Sequence, residues 1–122
     1  MKKSSGFKES FGYALAGVAH CLKSERNFRF HSFAAAVVIL CGLFFHLALW
    51  EWVAVLLVIA LVLMSEMLNT ALESLVDLCV TEYHPLAKVA KDVAAGAVFV
   101  FCFFAAIIGL IIFIPHILSF LG

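Results

Sequence analysis

The sequence predicts an all-α integral membrane protein: an amphipathic surface helix followed by three transmembrane helices, all in one domain spanning residues 1–122. Three observations carry this. Hydrophobic residues make up 66% of the chain and charged residues 13%, where a soluble domain has about a quarter charged. Residues 30–50, 52–65 and 93–122 contain no Asp, Glu, Lys or Arg, and about 20 apolar residues in a helix cross the hydrocarbon core. The runs are continuously apolar rather than alternating, which argues against a barrel and for helices, whose backbone groups satisfy one another within the segment.

The first element is expected over about 4–29. Phe7, Phe11, Leu15, Val18 and Leu22 recur at spacings of three and four, the period of a helix with one apolar face, and such a helix lies on the membrane rather than across it. The first span is expected over about 31–48. The second is expected over about 51–80, because no Gly or Pro occurs between Leu43 and His84. At about 1.5 Å per residue it outruns the hydrocarbon, so its last turns form an extension beyond the membrane. The segment "TEYHPLAK" makes a turn with Pro85 as the break, and the third span is expected over about 90–118.

Orientation follows from the basic residues. Lys2, Lys3, Lys8, Lys23, Arg26 and Arg29 precede the first span, and Lys88 and Lys91 lie between the second and third. The positive-inside rule then places the N-terminus and the loop between spans two and three in the cytoplasm, and the C-terminus outside. Trp50 and Trp52 suit the outer interface. Zero net charge argues against a nucleic-acid surface. The cysteines Cys21, Cys41, Cys79 and Cys102 show no C-x-x-C spacing and read as small apolar packing residues.

The chemistry sits at the end of the second span, in "SEMLNTALESLVD". At about 100° per residue, Glu66, Asn69, Glu73 and Asp77 fall near 0°, 300°, 340° and 20°, with Thr70 beside them near 40°. Met64, Leu68 and Leu75 hold the opposite face apolar. Carboxylates stacked at the edge of a membrane repel each other and are costly to desolvate, and a cation among them relieves both penalties. Mg²⁺ is typically held by one or two carboxylates plus substrate phosphates. The plainer alternative is that these acids cap the helix end and pair with Lys88, Lys91 or an arginine. Glu25, in "KSERNFRFH", and the Lys91–Asp92 pair, in "KVAKDVAAGA", fall at the same membrane edge. Neither a Walker A segment nor the protein-kinase signatures occur. A proton-coupled transporter, with a membrane carboxylate as relay, is the competing class.

The pattern E-x-x-N-T-A-x-E-x-x-x-D over 66–77, followed by "EYHPLAKVAKDVAAGAV" over 82–98, resembles the small integral-membrane lipid kinases of bacteria, the diacylglycerol kinase and undecaprenol kinase family. "SERNFRFH" is more similar to the undecaprenol kinase branch, with diacylglycerol as the alternative acceptor. The resemblance implies a homotrimer with active sites shared between subunits, and MgATP-dependent phosphorylation of a membrane lipid alcohol. It implies Glu66 as general base with Asn69 supporting it, and Glu25 and Glu73 as the acids that hold magnesium with the nucleotide. Lys91 is implied as the phosphate-contacting lysine, with Asp92 as its nucleotide-side neighbour. Tyr13, Glu82, Tyr83 and His84 are implied as nucleotide contacts, and Asp77 at the end of the stripe is expected on the nucleotide side. One departure stands out: Gly6 lies seven positions before Tyr13, where the best-known members carry arginine, and Lys8 is the nearby basic residue.

Overall fold

The computed structural model describes residues 6–122, which form four helices and no strand. They are α1 (Phe7–Ser24), α2 (Arg26–Phe45), α3 (Leu49–Cys79) and α4 (Pro85–Leu121). α2, α3 and α4 are each long and apolar enough to cross a membrane.

The expected helix over 4–29 begins outside the described residues and ends earlier than its periodicity indicated. At Glu25 the backbone leaves the helical region (φ −111°, ψ 111°) and the chain turns an elbow into α2. The basic residues Arg26 and Arg29, read as flanking the first span, instead occupy its first turns. Arg29 explains why the elbow holds. A helix end leaves carbonyls without intrahelical partners, and Arg29 Nη1 donates to two of them, Leu22 O at 3.0 Å and Lys23 O at 2.9 Å. A cation at a helix C-terminus is also favoured by the peptide dipoles. One arginine of α2 thereby closes α1 and fixes where Glu25 sits.

α2 stops at His46, whose left-handed backbone (φ 54°, ψ 61°) ends the helix. A tight connection leads into α3, where Glu51 Oε1 accepts the Ala48 N–H at 2.8 Å. α3 then continues unbroken for 31 residues, about 46 Å, against a hydrocarbon thickness of about 30 Å. The turn between α3 and α4 is shorter than expected. Pro85 does not merely break the chain; it opens α4, where the missing N–H of a first-turn proline costs nothing. His84 caps that end, its Nδ1 accepting the Leu86 N–H at 3.1 Å. α4 therefore starts at Pro85 rather than near residue 90, and it carries Lys88, Lys91 and Asp92 in its opening turns.

α3 packs most extensively on α4 and less on α2, while α1 packs chiefly on α2 and to a smaller extent on α3. The tightest packing lies far from the acidic stripe, around Leu47, Val55 and Ile112, with Phe45, Trp52 and Phe113 against them. Gly42 is required there, because a Cβ at this position would stand 2.8 Å from Trp52 Cη2 and 3.0 Å from Leu47 Cδ1. At the same end Glu51 is buried and faces His116 Nε2 at 3.0 Å, joining the start of α3 to the end of α4.

Candidate active site

The stripe on α3 is divided by burial. Glu66 and Thr70 are buried, 4% and 7% exposed, while Met64, Leu68 and Leu75 on the other face lie open. Glu66 is covered by α2: His31 Nε2 stands 3.2 Å from its Oε1. Thr70 is covered by the end of α1, where Cys21 is also buried. Burial pushes the Cys21 thiol up, and the charge of Glu25 adds to this, so Cys21 is an inert packing residue. Ser65 folds its hydroxyl back onto Val62 O at 2.7 Å and presents no free group.

One turn along, Asn69 Nδ2 donates to Glu73 Oε1 at 2.8 Å. This fixes the amide and leaves Asn69 Oδ1 buried with no hydrogen-bond partner among the described residues. Buried polar atoms are rarely left unpaired. Glu25, at the elbow, and Glu73 both act electrostatically on Glu66. α2 and α3 thus bring His31 to Glu66 and, one turn along, Asn69 to Glu73, with Glu25 at the elbow near enough for its charge to act on Glu66, at the edge of the apolar bundle.

A second group lies beyond it. A recess of about 350 Å³ between the end of α3 and the start of α4 is lined by Asp77, Glu82, Tyr83, His84, Lys88, Lys91 and Asp92, among others. Lys91 Nζ bridges the helices to Asp77 Oδ1 at 2.6 Å, and Lys88 pairs with Asp92 at 2.6 Å. Ion pairing of the acids with Lys88 and Lys91 is therefore real for Asp77 and Asp92, and it does not extend to Glu66 or Glu73. These exposed pairs hold little energy, so both lysines can exchange a carboxylate for an incoming anion. Glu73 links the two groups, since its charge also reaches Lys91. Tyr13 does not join either group; it is 44% exposed on α1 and lines no part of the recess.

Whether the cluster suits magnesium turns on its donors. Glu25 and Glu73 offer carboxylate oxygens, and the unpartnered Asn69 Oδ1 offers a neutral one, all hard ligands of the kind Mg²⁺ takes. Among the described residues no three His, Cys, Asp or Glu side chains converge as a self-sufficient metal cage. An ion completed by phosphate oxygens matches such a donor set better than one held by protein alone.

The sequence matches the family described as prokaryotic diacylglycerol kinase over residues 12–113, which includes the elbow, the whole acidic stripe and the recess. The chain belongs to the prokaryotic diacylglycerol kinase family. This selects a lipid kinase over the transporter alternative. Among the relatives, an undecaprenol kinase of Bacillus subtilis is 47% identical, with 91% of this chain and 90% of the relative covered. A diacylglycerol kinase of Synechocystis is 46% identical, with 90% of this chain and 63% of the relative covered. The Haemophilus influenzae diacylglycerol kinase is 33% identical, covering 82% of this chain and 87% of that one.

Sequence reasoning missed two features of this lipid kinase. His31 was visible only as the last letter of "SERNFRFH"; nothing in the spacing showed which side of α2 meets Glu66. The Glu51–His116 pair joins residues 65 positions apart at the opposite end of the bundle, and one acid and one histidine in apolar runs were the sole signal.

Proposed function

We propose that this chain transfers the γ-phosphate of ATP to the hydroxyl of a membrane lipid alcohol, undecaprenol being the preferred acceptor. The observation that carries this is the position of Glu66: a buried carboxylate where the apolar bundle meets a cluster of acids, an amide and a lysine-bearing recess. Undecaprenol is preferred over diacylglycerol because the relative named undecaprenol kinase is similar over nine-tenths of both chains.

Each group has a role in that reaction. The lipid enters laterally with its hydroxyl at Glu66. The carboxylate takes the hydroxyl proton, the oxygen attacks the γ-phosphorus, and ADP departs with the electron pair of the broken P–O bond. Phosphoryl transfer is mostly a matter of alignment and charge stabilisation. Glu25, Glu73 and Asn69 would hold Mg²⁺, which when bound offsets the charge of the phosphates. Lys91 releases Asp77 and turns to the phosphates, with Asp92, Glu82, Tyr83 and His84 around the nucleotide. Tyr13 reaches the nucleotide from α1, which lies amphipathic on the cytoplasmic surface. The assembly is a homotrimer, with the N-terminus inside and the C-terminus outside. Supporting it, apolar side chains on every helix are open in the single chain, Phe11, Phe33, Leu57 and Phe99 among them; lipid and neighbouring copies would cover them.

The test is purified protein in lipid nanodiscs with MgATP and a panel of undecaprenol, diacylglycerol and a short-chain alcohol. The expected result is label from γ-phosphate on undecaprenol, with less on diacylglycerol. Transfer to neither lipid would contradict the reading.

A further inference from the structure

We propose that His31 is a positioning residue for this reaction, holding Glu66 by one oxygen so that the other meets the lipid hydroxyl. The inference rests on the lipid-kinase reading above and adds a residue to it.

Three helices meet at one nitrogen. His31 Nε2, on α2, lies 3.2 Å from Glu66 Oε1 on α3 and 3.7 Å from Cys102 Sγ on α4. A carboxylate accepts hydrogen bonds and donates none, so a proton on Nε2 is the arrangement in which His31 attracts Glu66 Oε1 at this distance. Cys102 Sγ shares the same nitrogen at hydrogen-bond distance and tethers the ring to α4. Imidazole is half-buried here and Glu66 almost wholly so, with side chains 21% and 5% exposed. The contact therefore lies where a hydrogen bond to a charged group is worth more than in water.

The location explains why positioning is needed. Among the described residues His31 is the sole polar side chain lining an apolar cavity of about 180 Å³ between α2, α3 and α4, whose walls include Ala34, Val58, Leu63 and Ala105. The side chain of Glu66 would otherwise be free to swing toward Asn69 and the acids of the cluster. A neutral imidazole orients it without neutralising it. The titratable groups facing His31 are Glu66 on α3 and Cys102 on α4, with Glu25 at the elbow and Glu73 on α3 bearing on Glu66 behind it.

Two variants test the role in nanodiscs, each with lipid and ATP varied separately. His31→Gln keeps an N–H donor, and His31→Leu removes it at similar bulk. For Leu the expected result is kcat lower by at least about tenfold with KM for ATP unchanged, a loss within the range that base catalysis supplies. Gln is expected to restore most of kcat. The kinetic split separates positioning from structure: a merely structural role would lower ATP affinity and thermal stability together with kcat, and Gln would not restore the rate. Unchanged kcat in Leu, equal losses in both variants, or a raised KM for ATP with kcat unchanged would each overturn the proposal. If Leu fails to fold, His31→Met, which also lacks the donor, is measured in its place against Gln with the same readouts. Wild-type protein that phosphorylates no lipid would instead overturn the kinase reading itself, so the two failures are distinct.

Discussion

Asn69 separates the metal role from mere helix capping. Its amide is oriented by Glu73, and its carbonyl oxygen is left buried and unsatisfied, an arrangement that costs free energy unless a ligand completes it. Glu25→Gln and Glu73→Gln each remove a charged donor and keep the shape. Each is expected to lower lipid phosphorylation by at least about tenfold and to raise the magnesium concentration giving half-maximal rate, with secondary structure unchanged. Magnesium titrations of the purified variants check this, and unaltered magnesium dependence in both would remove the assignment. At this scale the stripe was legible in the sequence, since helical angles need no tertiary knowledge. His31 was not, because the angle at which α2 faces α3 is set by packing between helices.

Two elements differ from what periodicity indicated, and both differ through capping. The apolar spacing of α1 continues smoothly toward α2, but the chain breaks at Glu25 because Arg29 satisfies the freed carbonyls. α4 begins at Pro85 because His84 caps it. Hydrophobic patterns carry no information on such side-chain bonds. Lengths and apolar faces were legible in the long runs, where lipid solvation leaves little choice. The far end of the bundle is a stability device, and Gly42 tests it. Gly42→Ala gains about 1 kcal/mol in helix propensity but forces a Cβ against the rigid Trp52 ring, and overpacking costs about 1–3 kcal/mol. Lower Tm with kcat unchanged is expected, from thermal unfolding in detergent alongside a turnover assay. A raised Tm would show that the ring yields.

For the whole molecule, the two ends of the bundle divide the work. One end carries the acids and the recess; the other carries the packed aromatic and apolar core with the Glu51–His116 bridge. They are separated along α3 by about 22 Å between Glu51 and Glu66. The orientation proposed from the basic residues is checked by labelling single cysteines in a background lacking the native four. A membrane-impermeant thiol reagent applied outside should reach Gly122→Cys and not Glu9→Cys, and the reverse would invert the topology. The central claim is that Glu66 is the base for lipid phosphorylation, and Glu66→Gln, which keeps the shape and loses the proton acceptor, tests it most directly. Nucleotide affinity and lipid phosphorylation are measured in tandem on this variant. The account predicts MgATP binding near the wild-type value with kcat reduced by about 10²–10⁴-fold; lost ATP binding with normal turnover of the fraction still bound would contradict it.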